Sequence, residues 1–504
     1  MKQYELYEIC LKGEKPGGSQ VEINLSAEFD NEGMHKTVKG FYAGDGIYKV
    51  RYYPQKCGKV RWKIDSDIQL EGRLEGEETC IGGTKHGMVK AVDTHFEYED
   101  GTLFRPFGTT IYAFVHQTEE LINQTFETLK KSPFNKVRLC VFPKYYDYNH
   151  EDPKYFPFEK NEKGQWDTDH PCLAFWNRLE EMIFRLADLQ IQTDLILFHP
   201  YDKWGFSNMQ TRQNETYLEY VMRRLGAVPE IWWSMANEFD LCFDRNMEEW
   251  YGIEQKIKTG DVYGHLLSNH NCFSFYDFKR SAITHCSVQS SQLESAEKWL
   301  EEYQKPFIYD ECCYEGNLTF SWGNISAFEL VNRFWMACAQ GAYATHGEVF
   351  LSEDEILWWS KGGKLKGESV PRIAFLKDLM ESLPGAIELW KMSPMDLLDE
   401  EVLKELQGKP FEKLHRAMPE SMQESHLVKD KQFCGHCGSA VYLQYFARHC
   451  VAVAEWKLPE EGSYQIDVID VWNMTRKTVM RGVCGRVRIK LPGKEGIAVI
   501  ASRE

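Results

Sequence analysis

A chain of 504 residues is too long for one hydrophobic core, so about two to four domains are expected. The formal charge of −17, from 59 Lys and Arg against 76 Asp and Glu, excludes nucleic acid and anionic membrane as partners, because no broad cationic surface is on offer. The first residues, Met1-Lys-Gln-Tyr-Glu-Leu-Tyr-Glu-Ile-Cys10, lack the apolar centre and small-residue cleavage site of a signal peptide, and no run of about 18 apolar residues occurs anywhere. Together with 15 cysteines in no disulfide-like spacing, this predicts reduced thiols in a cytoplasm.

Residues 1–95 read as short strands. Val21-Glu-Ile-Asn-Leu25 and Tyr48-Lys-Val-Arg-Tyr-Tyr53 alternate apolar with polar, as half-buried strands do. Gly40-Phe-Tyr-Ala-Gly-Asp-Gly46 and Pro54-Gln-Lys-Cys-Gly58 are rich in turn residues and interrupt them. A small β-sandwich is expected.

From 96 to 385 strands alternate with helices. Predicted strands are Phe107–Phe114, Lys136–Phe142, Thr193–Phe198, Ile231–Phe239, Cys272–Tyr276, Ala282–Val288, Lys305–Cys312 and Ala342–His346. Predicted helices include Thr118–Lys131, one carrying Phe175, Leu179, Met182, Ile183 and Leu186 at helical spacing, Tyr217–Leu225, Ala327–Gln340 and Arg372–Ser382. Eight such units in one stretch predict a closed parallel (β/α)8 barrel. Pro384-Gly385 ends it, and Met395–Leu406 is charged and helix-prone. Strand patterns return at Ala440–Tyr445, Tyr464–Ile469 and Val487–Leu491, so residues 386–504 are expected to hold a helical linker and a second β-sandwich. Cys434-Gly-His-Cys437 has no second ligand pair at finger-like spacing, so a turn is expected there rather than zinc. The pattern calls for no metal and no cofactor.

Two strand ends carry chemistry. Ile231-Trp-Trp-Ser-Met-Ala-Asn-Glu238 is an apolar run that ends abruptly in an amide and a carboxyl, and Pro306-Phe-Ile-Tyr-Asp-Glu311 repeats the logic. Barrels build active sites at such C-terminal strand ends. Two carboxyls there, about two to three βα steps of ~30 residues apart, suit the double displacement of a retaining glycosidase. A loop cap or an arginine partner is the plainer reading of either Glu alone. Asn237 is placed to hold a sugar hydroxyl, and apolar Trp232, Trp233 and Met235 just upstream favour a neutral Glu238, the acid. Glu311 is then the nucleophile, with Asp310 turned away by strand alternation and Glu348 as the rival carboxylate.

Other polar groups sit at predicted strand ends: His116, Arg138, His199, Asp202, Trp204, His270, Asn271, His285, Gln289 and His346. Each His alone is more often a satisfied structural group. Collectively they suit a sugar, whose many hydroxyls need donors and acceptors. Trp322, Trp358 and Trp359, on loops after strands seven and eight, can cover the barrel mouth or stack on substrate.

Trp233-Ser-Met-Ala-Asn-Glu238 with Ile308-Tyr-Asp-Glu311 resembles the acid/base and nucleophile strands of the retaining (β/α)8 glycoside hydrolases that include cellulases and β-galactosidases (clan A). Pro133-Phe-Asn-Lys-Val-Arg138, Leu197-Phe-His-Pro-Tyr-Asp202, Thr345-His-Gly-Glu348 and Trp358-Trp-Ser-Lys-Gly-Gly363 resemble a bacterial branch of it. Gly40–Gly46 and Ile469-Asp-Val-Trp-Asn-Met474 resemble the β domains before and after the barrel in that branch. The resemblance implies a retaining mechanism and the two Glu roles, and no particular sugar. The crowded Asp310-Glu311-Cys312-Cys313 departs from the commonest pattern at the nucleophile. The expected activity is hydrolysis of short glycosides by an exo-acting enzyme with a carbohydrate substrate. A transglycosidase with the same carboxylates and a non-catalytic carbohydrate-binding protein are the alternatives. Self-association into a homo-oligomer is expected from size and flanking domains.

Overall fold

The computed structural model describes residues 1–146, 148–391 and 433–504, with Gly408, Lys409 and Ala417 between; the helix-prone Met395–Leu406 lies outside the described residues. Two four-stranded antiparallel sheets pack face to face at the N-terminus. Alternation drives them: Leu25, Ala27 and Phe29 of one strand and Val60, Trp62 and Ile64 of its neighbour are buried, with polar or charged residues between. The expected strand at Val21 begins only at Leu25, because Ser19 Oγ accepts the Val21 and Glu22 amides and holds a turn there. Gly40–Gly46 is less a loop than expected: Phe41–Gly44 pairs with Ile47–Tyr52 around Asp45-Gly46, both at positive φ as a tight hairpin requires.

The sandwich docks on the barrel through a buried charge network. The Arg51 guanidinium makes two 2.8 Å bonds to Glu180, which also accepts from Arg224 at 2.8 Å. Glu180 and Arg224 belong to the second and third barrel helices, Leu173–Asp188 and Thr211–Leu225. Its two cations hold the Glu180 carboxyl below its usual range, against the opposing effect of burial.

Eight parallel strands form the barrel: Gly108–Thr110, Lys136–Cys140, Gln192–Phe198, Ile231–Ala236, Leu267–Ser268, Cys286–Gln289, Phe307–Glu311 and Tyr343–His346. The fifth strand lies elsewhere than expected, and the sixth falls in its expected stretch but starts later, at Cys286. Cys272–Tyr276 is irregular, since Asp240 accepts the amides of Cys272, Phe273 and Ser274 and binds that segment to the loop after strand four. Closure between strands five and six combines one backbone bond, from the Thr284 amide to the Leu267 carbonyl at 2.9 Å, with side chains: Ser268 Oγ donates to the His285 carbonyl at 2.7 Å, and Thr284 Oγ1 accepts from the Leu267 amide at 2.8 Å.

A three-stranded sheet, Val89–Val92, His95–Tyr98 and Leu103–Phe104, spans the expected boundary at residue 95 and plugs the barrel's N-terminal end. Its Phe96 and Phe104 pack on inward-facing Trp232, Ile308 and Tyr343. The catalytic candidates are therefore left at the opposite, C-terminal mouth. At the C-terminus a six-stranded sheet packs with a two-stranded one around Trp456, Ile466, Ile489 and Val499. Cys434 and Cys437 lie within its strand Phe433–Cys437 and not in a turn. This domain rests on helix Ala327–Ala339, where Tyr445 donates to Asn332 at 2.9 Å. No helix among the described residues is long and apolar enough to cross a membrane.

Candidate active site

Strict alternation puts Asp310 and Glu311 on opposite faces of strand seven. The structure overrides it with a β-bulge: Val288 pairs with Tyr309 but Gln289 pairs with Glu311, so Asp310 is the extra residue. A bulge re-aims side chains, and here both acids point into the barrel. The expectation that Asp310 turns away is corrected accordingly. Asp310 sits lower, accepting from Lys136 at 2.6 Å, Ser287 at 2.6 Å and Thr345 at 2.7 Å. Burial opposes its charge, but Lys136 and Arg138 hold it far below the usual carboxylate range.

Glu311 lies one layer above, 9% exposed, and accepts from the Tyr112 hydroxyl. That hydroxyl also lies 2.7 Å from Asn237 Oδ1. Glu238, 6% exposed, follows strand four in the left-handed conformation (φ 55°, ψ 59°), an unusual state for a non-glycine residue. The strand-five end holds it there: the Glu238 amide donates to His270 Nδ1 at 3.4 Å and the Phe239 amide to the His270 carbonyl at 2.9 Å. Its Oε2 accepts from the Tyr201 hydroxyl at 2.5 Å and from Asn237 Nδ2 at 2.9 Å.

Gln289, on strand six, bridges the pair. Its amide is oriented by its partners: an oxygen facing two carboxylate oxygens is repelled, whereas the nitrogen donates to Glu238 Oε1 at 3.0 Å and to Glu311 Oε2 at 3.2 Å. Asn271 fixes Gln289 in turn, accepting its backbone amide at 3.1 Å and donating to its carbonyl at 3.2 Å. Burial first, and then Glu238, push the Glu311 carboxyl up to about 7, against the pull of Arg138 and Lys144. With two carboxyls this close, the proton belongs to the pair.

Of the residues expected at the site, the structure gathers Glu238, Glu311, Asn237, His270, Asn271 and Gln289 around one point, with Arg138 beneath. Arg138 is fully buried at 3.4 Å from Asp194, and its guanidinium lies over the Tyr112 ring. Others are elsewhere. His116 stacks on Phe175 behind the strands, and His199, beside Tyr201, is spent on the Phe142 carbonyl. His285 packs on Phe96 and Trp232 at the barrel floor. His346 bonds Thr109 and stacks on Phe134, and Trp358 donates to the same Thr109. Burial takes His116, His285 and His346 down to about 3, so they stay neutral. Asp202 accepts amides of Trp204, Gly205 and Ser207 and shapes its own loop, and Trp204 bonds Asp152 there.

Glu348, the rival carboxylate, accepts the Lys366 and Gly367 amides at 2.5 and 2.9 Å and is spent on that loop. The apolar setting expected for Glu238 is also absent. Trp232 joins the floor, while Trp233 and Met235 pack outward with the helices.

Sequence reasoning passed over Tyr112, Lys144 and Tyr201 as site residues. Tyr112 and Tyr201 stand at the ends of strands one and three, where a search for carboxyls and imidazoles does not look for phenols. Trp359 joins Trp322, Tyr314 and Tyr146 in an aromatic wall beside Glu311, with ring centroids 5.1–5.9 Å apart.

Comparison with known proteins follows this geometry. The chain is 30% identical to a putative glycoside hydrolase from Bacteroides vulgatus ATCC 8482, over 100% of this chain and 99% of that one, with a TM-score of 0.87. A family 5 glycoside hydrolase from the same organism shares the fold at 14% identity and a TM-score of 0.58, over 83% of this chain and 93% of that one. Among curated proteins none matches. A (β/α)8 glycoside hydrolase is the class that fold and site define. Residues 91–386 match the apiosidase-like catalytic domain, and the chain belongs to that family. Two domains of unknown function match residues 1–67 and 430–501.

Proposed function

We propose that the protein is a retaining, exo-acting hydrolase of short glycosides, with Glu238 as acid/base and Glu311 as nucleophile. One observation carries the reading: the Gln289 amide nitrogen reaches both carboxylates, at 3.0 and 3.2 Å. The two facing oxygens cannot then be further apart than the sum of these contacts. Retaining enzymes set their carboxyls ~5–5.5 Å apart and inverting ones ~6.5–9.5 Å, to admit a water between them.

In the first step a Glu311 oxygen bonds to the anomeric carbon as the bond to the leaving oxygen breaks, and Glu238 passes its proton to that oxygen. The glycosyl ester carries no charge at Glu311. Repulsion on Glu238 is thereby relieved, and it ionises readily enough to act as base. Water then gives Glu238 a proton and attacks the anomeric carbon, and the ester bond breaks. Roles follow from position: Glu311 is backed by Tyr112, Arg138 and Lys144, while Glu238 stands at a strand-end elbow. Near-complete burial of both carboxyls and the aromatic wall support a pocket for a terminal sugar. A cytoplasmic setting, on the cysteine pattern, completes the proposal.

A panel of chromogenic aryl glycosides, with apiosides first because of the family's name, tests it. Azide added to Glu238→Ala should restore turnover and give a glycosyl azide of the substrate's own configuration. A product of inverted configuration from the wild-type enzyme would overturn the reading.

A further inference from the structure

Lys144 follows strand two and is 2% exposed, yet its ammonium makes no hydrogen bond or ion pair among the described residues. It is enclosed by rings instead. The nitrogen lies 3.6 Å from the Tyr112 centroid and 4.3 Å from that of Tyr201, with Tyr146 and Trp359 at 5.1 and 5.2 Å. The two nearest rings belong to the phenols that donate to Glu311 and Glu238. Its backbone is fixed as well: Asn149 donates to the Lys144 carbonyl at 2.6 Å, and the next amide, of Tyr145, donates to the Tyr201 carbonyl at 2.9 Å.

Charge counting shows what this cation faces. Deeper in the barrel Lys136 and Arg138 are matched by Asp194 and Asp310, two against two. Cys140 and Tyr146 come from Lys144's own strand and loop, Tyr112 from the end of strand one, and His199 and Tyr201 from that of strand three. His270 comes from strand five. The remaining anions are Glu238 and Glu311, and each acts on Lys144. A neutral site results when that pair keeps one proton and one charge.

We infer that Lys144 is the fixed counter-ion of the carboxylate pair, a positioning residue clamped between the two phenols and supplying the charge that keeps Glu311 ionised for attack. Neutral sugar substrates need no countercharge from it. This rests on the roles proposed above for Glu238 and Glu311.

The test is kcat/KM against pH for Lys144→Met and Lys144→Arg, on whichever aryl glycoside the panel identifies. A nearby opposite charge lowers a carboxyl pKa by ~1–3 units, so its loss should move both limbs of the profile upward by about one unit. Activity on the acid limb should fall by up to about tenfold, with KM little changed. Lys144→Arg should keep the limbs in place. Unmoved limbs in Lys144→Met, a rise in KM alone, or an arginine variant that behaves like the methionine one would overturn the inference. If Lys144→Met does not fold, Lys144→Gln is judged by the same criteria. Glu311→Gln separates the two proposals: its full activity would remove the assigned roles, whereas its inactivity together with unmoved limbs would remove only that of Lys144.

Discussion

Two pairs of buried glutamates stand at the mouth of this barrel, and they are built differently. Glu238 and Glu311 are held by side chains, the phenols of Tyr201 and Tyr112 and the amides of Asn237 and Gln289. Glu315 and Glu348 are held by backbone: the amides of Lys366 and Gly367 donate to Glu348, and those of Glu368 and Ser369 to Glu315. Burial pushes one member of each pair up to about 7, so a raised pKa does not tell them apart. Hydrogen bonding does. The second pair anchors one loop through both oxygens of each acid, while the first converges on a point between strands four, six and seven. A perturbed carboxyl is a candidate for function only when its donors leave it free to exchange partners.

The largest expected effect separates the pairs outright. Glu311→Gln should lower turnover below about 10⁻³ of wild type, because an amide cannot form the ester; Glu348→Gln should leave the pH limbs in place. Equal losses of kcat in steady-state assays would erase the distinction. Next, Tyr112→Phe and Tyr201→Phe should each cost about 10²-fold in kcat, the scale for removing one preorganised donor.

Stability should run the other way. Glu348→Ala leaves two part-buried amides without their acceptor, at about 1 kcal/mol, whereas Glu311→Gln relieves a repelled carboxylate and should leave the fold as stable or more so. Thermal unfolding of both variants checks this. The smallest effect concerns pH. Glu311 and Glu348 have folded values near 7, above the ordinary 4.5, so the folded state favours their protonated forms. The stability they contribute is complete below about 4.5 and is lost as pH rises through about 7. Denaturant midpoints at pH 5 and 8 should differ less in either Gln variant than in wild type.

Much of this was legible beforehand. Glu238 and Glu311 end apolar runs, and that pattern marks strands leaving a buried core. Periodicity assigned the sandwich faces and seven of the eight barrel strands. The bulge at Asp310 has no sequence signature, so alternation failed at the nucleophile. Strand-end histidines were misread for a related reason. His285 faces inward but one layer too low, and His346 faces outward; depth and facing depend on strand tilt and register, which one sequence does not reveal. Strand five is only Leu267–Ser268, and the Ser268 and Thr284 side chains help to close the barrel beside it, so little hydrophobic pattern is left to detect.

The central claim is that Glu311 forms the covalent bond to the sugar. A 2-deoxy-2-fluoro glycoside of the preferred sugar, with an activated leaving group, slows breakdown of that ester, so the digested protein can be mapped by mass spectrometry. The account predicts one glycosyl adduct, on the peptide containing Glu311, absent from Glu311→Gln and unchanged in Glu348→Gln. An adduct on Glu348 or Glu238, or rapid turnover with no adduct and an inverted product, would contradict it.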